Sequence, residues 1–243
     1  MKHLKTIMSV LVLLTAVSCV KQQTEGNGLV NFDLKSNLQI VDMTRSNVSD
    51  YTTLPSSGNF TISIYDAAKA LVWSGKVSEW DATTPLIAGN YSVEASYGSI
   101  EEEGFDKPYF FGNQTFAVQG GQTTNVSIPV SLGNTIVRIS CGDYFKKYFQ
   151  DYSFKITRDG ATIATFSKDE TRGAFVDGYK IRIEGSMTRS GETKTFSADY
   201  TNLKEATAYT FVIDVDNVGG ATLTVSFNNT VETINLGDQE LND

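Results

Sequence analysis

The sequence predicts an all-β fold: two tandem antiparallel β-sandwich domains, with one short helix near the start of the second. Three observations lead there. Apolar residues alternate with polar ones at period 2 in segment after segment, turn signals separate the segments, and the gaps leave no room for crossover helices.

The alternation begins at Leu29 to Leu34, where Val30, Phe32 and Leu34 form an apolar face against Leu29, Asn31 and Asp33. It recurs with Phe60, Ile62 and Ile64, with Tyr91, Val93, Ala95 and Tyr97, and with Val126, Ile128 and Val130. In Thr135 to Cys141 the odd positions are expected to face the core. Tyr152, Phe154 and Ile156 follow, then Tyr179, Ile181 and Ile183, and finally Tyr209, Phe211, Ile213 and Val215 ahead of Leu223, Val225 and Phe227. Asp159-Gly160 and Gly219-Gly220 tolerate the positive φ of tight primed turns, so a hairpin is expected at each.

One segment has a different period. Phe145, Tyr148, Phe149 and Tyr152 stand at i, i+3, i+4 and i+7, one face of a helix over Asp143 to Tyr152 with Asp143 as its cap. A core-facing stripe is expected, the alternative being an exposed aromatic platform. The domain boundary is placed at Ser131-Leu132-Gly133-Asn134, giving an N-terminal sandwich over residues 28–131 and a C-terminal one over 132–243, each of about seven strands.

Residues 1–18 read as a secretory signal. Lys2 and Lys5 make a positive start, Ile7 to Thr15 an apolar run, and Ala16-Val17-Ser18-Cys19 a small-residue processing site ending on cysteine. Such a cysteine resembles the lipobox of bacterial lipoproteins, with Ala16 where leucine is usual, and it implies a mature chain lipidated at Cys19. Residues 19–27 would then be the lipidated cysteine and a polar tether. No stretch approaches the roughly twenty apolar residues of a spanning helix, so the N-terminal lipid is the expected membrane contact. Val20, where aspartate would favour inner-membrane retention by resemblance to lipoprotein sorting, directs the expectation to the outer membrane, with the cell surface as the expected face.

Charge and composition exclude several functions. The chain has 20 Lys and Arg against 28 Asp and Glu, and loss of Lys2 and Lys5 takes the mature charge to about −10. Nucleic acid is therefore not an expected partner, since binding it relies on clustered cations. The single histidine, His3, leaves with the signal, and with it any Ser-His-Asp or Cys-His catalytic unit. No enzyme, cofactor or functional metal is expected. With Cys19 acylated, Cys141 has no disulfide partner and reads as a buried structural thiol.

Three clusters are candidate ligand sites. Glu101-Glu102-Glu103 with Asp106 is the densest acidic run, suited either to a solvated loop or to calcium. Trp73 and Trp80, the only tryptophans, suit either core packing or stacking on sugar rings. In Lys107-Pro108-Tyr109-Phe110-Phe111-Gly112 the proline holds Lys107 extended and Gly112 closes a turn, while Tyr109 and Phe110 either pack or line a groove in the loop from Ser99 to Lys107. Gly89 and Gly98 read as turn glycines bracketing a strand.

Ala88-Gly89-Asn90-Tyr91-Ser92-Val93-Glu94-Ala95-Ser96-Tyr97-Gly98, Lys107 to Gly112, Asn134-Thr135-Ile136-Val137 and Phe149-Gln150-Asp151-Tyr152 together resemble the signature of a Bacteroidetes outer-membrane lipoprotein family with a domain of unknown function, over roughly residues 28 to 230. A lipobox followed by two sandwiches is more distantly similar to fimbrillin-like pilus and adhesin subunits. The resemblance implies a structural or adhesive surface lipoprotein that assembles with fimbrial or other surface proteins by strand addition. It also makes Arg45, the arginine that follows the first strand, a candidate site of proteolytic processing, the alternative being an ordinary loop arginine. The alternative is a glycan-binding lipoprotein of a nutrient-uptake system, with Trp73, Trp80 or the Tyr109 region as its platform.

Overall fold

The computed structural model describes residues 25–37, 47–215, 223–227 and 230–235. Cys19 and Arg45 lie outside the described residues, as does the turn at Gly219-Gly220. Eight strands precede the expected boundary: β1 (Asn27–Asn37), β2 (Thr61–Asp66), β3 (Leu71–Lys76), β4 (Leu86–Ile87), β5 (Gly89–Tyr97), β6 (Gly104–Phe105), β7 (Phe110–Val118) and β8 (Thr123–Leu132). After it come β9 (Thr135–Cys141), α1 (Asp143–Tyr148), β10 (Asp151–Arg158), β11 (Ala161–Phe166), β12 (Ala174–Val176), β13 (Lys180–Arg189), β14 (Glu192–Thr201), β15 (Ala208–Val215), β16 (Leu223–Phe227) and β17 (Thr230–Asn235). The fold is all-β and sandwich-like.

The first half forms one seven-stranded sheet in the order β3-β2-β5-β7-β8-β1-β4. β7 and β8 share only two register pairs, Phe110↔Leu132 and Phe111↔Ser131, so the sheet turns there and its two wings enclose one core. Val30 and Ile128 from one wing meet Ile62, Ile64 and Val93 from the other in a single apolar cluster. The period-2 pattern sets this core: Ile62, Ile64, Val93, Ala95 and Ile128 are fully buried, while their odd or even neighbours face out.

Gly112 sits in the middle of β7 rather than closing a turn. A methyl group there would run into the Pro129 carbonyl of β8. The residue is glycine because two backbones touch, and Gly112→Ala should lower stability by about 2 kcal/mol by forcing β7 and β8 apart, read as a lower urea midpoint at unchanged m-value. Gly89 likewise opens β5 rather than a turn. Gly98, at φ +72°, is the turn glycine expected.

The second half pairs a four-stranded sheet, β11-β10-β13-β14, with a six-stranded one, β17-β16-β15-β9-β12-β6. Tyr200 on β14 meets Phe211 on β15 across the layers at 4.8 Å between ring centroids. The β10–β11 hairpin turns at Asp159 (φ +47°) and Gly160 (φ +86°), as expected of a primed turn. β15 and β16 pair antiparallel, as expected of the last hairpin. Two pairings depart from the antiparallel rule: β1 runs parallel to β8, and β9 runs parallel to β15.

Several expectations need correction. The helix spans only Asp143–Tyr148, its cap is Gly142, and Asp143 lies in the first turn. Phe149 is already extended and Tyr152 belongs to β10, because the β10 ladder takes over the chain. The aromatic stripe nevertheless points inward, with Phe145, Phe149 and Tyr152 buried. Tyr179 is 73 % exposed rather than core, because it precedes β13 in a turn where its N–H donates to Asp177 Oδ1. In β9 both Ile136 and Val137 are buried, against strict alternation. The strand lies between two apolar clusters, and Ile136 joins the first while Val137 joins the second. Among the described residues no helix is long and apolar enough to cross a membrane.

Candidate functional site

β1 is held unequally on its two sides. β8 pairs with it along nine residues, from Leu29↔Thr123 to Asn37↔Ser131, whereas on the other side, among the described residues, β4 pairs at Asn27↔Ile87 and Gly28↔Leu86 alone. Beyond Gly28 that second side is met by a side chain: the Trp80 indole N–H donates to the Val30 carbonyl at 2.9 Å. Beside the C-terminal part of β1 lies a small, partly open cavity of about 80 Å³ lined by Leu34, Leu54, Pro55, Phe60, Phe110 and Val130, with Ser36 and Ser57 beside them. Period 2 explains the lining, since Leu34 falls on the apolar face of β1 and Val130 on that of β8.

The candidate aromatics divide between this strand and its surroundings. Trp73 and Trp80 are both half-buried and meet edge to face at 5.1 Å, and Phe32 of β1 meets Trp80 at 5.3 Å and Phe116 at 5.8 Å. Trp73 and Trp80 thus join a row of rings against β1. Phe110 is 1 % exposed and lines the cavity beside β1, not the Ser99 to Lys107 loop. Tyr109 stacks loosely on Phe111, and its phenol is pushed up by burial, with Glu205 and Glu94 adding to the shift.

The acidic run is neither wholly solvated nor gathered around an ion. Glu101 and Glu102 are exposed, but Glu103 turns inward and accepts from the Arg158 guanidinium and from the Asp177 N–H. Gly104 and Phe105 form β6, which pairs with β12 at Phe105↔Ala174 and Gly104↔Phe175. A segment from the first half thereby becomes the edge strand of a sheet in the second. Phe105 meets Phe166 edge to face at 5.1 Å, and the Arg172 guanidinium lies 4.4 Å from its ring centroid while bonding Asp106 and Glu170. Gly104 at φ +123° and Asp106 at φ +56° allow the loop to reverse at both ends of β6. Among the described residues no group of three or more His, Cys, Asp or Glu is placed to hold a metal ion.

Acid should loosen this clasp. The hydrogen bonds from Arg172 hold the Glu170 carboxyl down at about 2 from its ordinary 4.5. A carboxyl depressed on folding contributes stability that is fully present above pH 4.5 and lost as pH falls toward 2. The urea midpoint should decline across that window, and less steeply in Glu170→Gln.

The junction is also fastened. Leu132 and Asn134 are buried, Asn134 Oδ1 accepts from the Tyr109 N–H, and the Asn134 carbonyl accepts from the Ala206 N–H at 2.9 Å. Cys141 is half-buried, and burial pushes its thiol up to about 11, Asp214 adding to this and Lys146 opposing it. It is an inert thiol at neutral pH.

Residues 26–237 match the family model DUF4493, a domain of unknown function. The chain belongs to the DUF4493 family. No curated protein sequence matches it. Among solved structures, the DUF4493 fold is similar to that of a candidate polysaccharide-binding protein from Bacteroides thetaiotaomicron, at 12 % identity over 88 % of this chain and 100 % of that one, with a TM-score of 0.50. Looser likenesses extend to a fimbrial assembly protein from Parabacteroides distasonis (8 % identity, 84 % and 95 % covered, TM-score 0.46) and to the fimbrial anchor protein Mfa2 from Porphyromonas gingivalis (10 % identity, 85 % and 98 % covered, TM-score 0.41). At these identities the likeness is one of fold.

Sequence reasoning missed the cavity beside β1, the Trp80 bond to Val30, and the clasp. Glu103 and Arg158 stand 55 residues apart, and no local pattern links them. The one available signal was Leu29 to Leu34, whose alternation marked an apolar face.

Proposed function

We propose that this DUF4493 protein is a surface lipoprotein with a structural or adhesive role, a fimbria-associated subunit that assembles by strand addition. The reading rests on β1, which among the described residues is paired along nine positions on one side and two on the other, and is flanked by a small, mostly apolar cavity. A strand so placed can be replaced by an extended segment of a partner, which would inherit the β8 ladder and the same pockets. In this reading Cys19 carries the lipid at the outer membrane, residues 28–131 and 132–243 are the two domains, and cleavage after Arg45 frees β1.

Limited trypsin digestion tests it. Arg45 should be cut before most other Lys and Arg bonds, and the trimmed body should form heat-resistant oligomers or capture an added fimbrial partner. Loss of β1 should also red-shift the tryptophan emission, because Trp80 gives up its bond to Val30 and its contact with Phe32. A trimmed body that stays monomeric, or simply unfolds, overturns the proposal. Anchoring has its own test: Cys19→Ser should leave the outer-membrane fraction.

A second reading, glycan binding, draws on the half-exposed rings around Trp73 and on the fold shared with the Bacteroides thetaiotaomicron protein. A glycan-array screen should then give hits that Trp73→Ala abolishes, and an array without hits removes this reading.

A further inference from the structure

Strand direction in both halves points to a property that the proposed function does not contain. The nine pairs of β1 with β8 and the six of β9 with β15, from Ile136↔Ala208 to Cys141↔Ile213, are parallel. In each case the first strand of a half lies against the strand that leads the chain out of it, or toward its end. In a hairpin the two free ends lie side by side, so pulling them apart opens the ladder one bond at a time. In a parallel pair the start of one strand and the finish of the other lie at opposite ends. Tension then runs along the strands and strains the evenly spaced bonds of the whole ladder together. The last strand keeps this geometry. β16 is antiparallel to β15 and β17 is antiparallel to β16, so β17 runs in the direction of β9.

We propose that the chain is a tension-resisting tether, with two shear-loaded ladders in series. Pulled by its ends, the chain loads β1 against β8, passes the force through Gly133 and Asn134, and loads β9 against β15, which passes it on through β16 to β17. The junction has parallel support. Asn134 is bonded to Tyr109 and Ala206, and β6 with Glu103 and Asp106 grips the second half at β12, Arg158 and Arg172. Force therefore crosses between the halves by the clasp as well as by the covalent chain. Resistance of this kind is a property of the unfolding barrier. It requires only that the uncut chain be held at both ends, and it does not depend on assembly by strand addition.

Single-molecule pulling on the full-length Cys19→Ser chain tests this in one fold with two attachment geometries. One arm applies tension between the N- and C-termini. The other applies it between the N-terminus and a handle at Gln122→Cys, an exposed position whose carbonyl accepts from the Leu29 N–H, so that β1 is peeled from β8 starting at Leu29. Cys141→Ser is carried in both arms, so that the handle is the one thiol left. End-to-end pulling should need a several-fold higher force than peeling at the same loading rate. If either half extends end to end at or below the peeling force, the proposal is overturned, whether or not the protein assembles with a partner.

Discussion

Replacing Arg158 with alanine should destabilise the chain by about 3 kcal/mol, from breaking a partly buried ion pair and losing two further charge-assisted hydrogen bonds. The Arg158 and Glu103 side chains are 24 % and 11 % exposed, so the pair is partly shielded from solvent. Arg158 also donates to the carbonyls of Asp177 and Lys180. Truncation leaves the Glu103 carboxylate with the Asp177 N–H as its one remaining bond among these, and it removes a donor from each of the two carbonyls. For a chain of this size the melting temperature should fall by about 6–12 °C. Arg158→Lys should recover only part of the loss, because a single ammonium cannot replace a fork that spans Glu103, Asp177 and Lys180. Scanning calorimetry checks both, and an Arg158→Ala melting temperature within a degree of wild type would contradict the clasp.

Phe145→Ala should cost about 3–5 kcal/mol, as expected for deleting a fully buried ring. Phe145 is 0 % exposed and meets Phe149 at 4.8 Å, Tyr152 at 5.0 Å and Phe154 at 6.1 Å. Its N–H also donates to Asp214 Oδ1 at 3.2 Å, which ties α1 to β15. A helix of six residues has little stability of its own, so the ring holds it in place. The neighbouring Tyr144, 63 % exposed, is the control: Tyr144→Ala should change stability by less than about 0.5 kcal/mol. Urea melts of the two variants should differ by most of the Phe145 effect.

The local half of the fold was legible in the sequence. Ile62 and Ile64, Val93 and Ala95, and Val126 to Val130 alternate because a sheet with one wet face demands it, and Asp159-Gly160 announces a turn that few other pairs tolerate. The aromatic stripe from Phe145 to Tyr152 was legible as a buried face but not as helix followed by strand, since both forms can deliver those rings to one core. What could not be read was pairing at a distance. The parallel ladders join residues 94 and 72 positions apart at Leu29↔Thr123 and Ile136↔Ala208, and no turn signal marks such partners. Gly112 looked like a turn glycine because its reason, the Pro129 backbone, lies on another strand. The Glu101 to Asp106 run looked like a solvated loop or an ion site for the same reason: its partners, Arg158, Arg172 and Asp177, come much later in the chain.

Those distances also govern the order in which the polypeptide can take shape. β6 emerges from synthesis about seventy residues before β12, its acceptor, exists. The first core likewise waits for Ile136, Phe175 and Ala208 before it is closed. A half whose own last contacts are made by the other half cannot finish first, so vectorial folding from the N-terminus stalls with the Gly98 to Pro108 loop unengaged. Chains with such separations fold slowly and keep sheet edges open in the meantime. A chain with this wiring therefore depends on being escorted, or on staying unfolded, until at least residue 208 has been made.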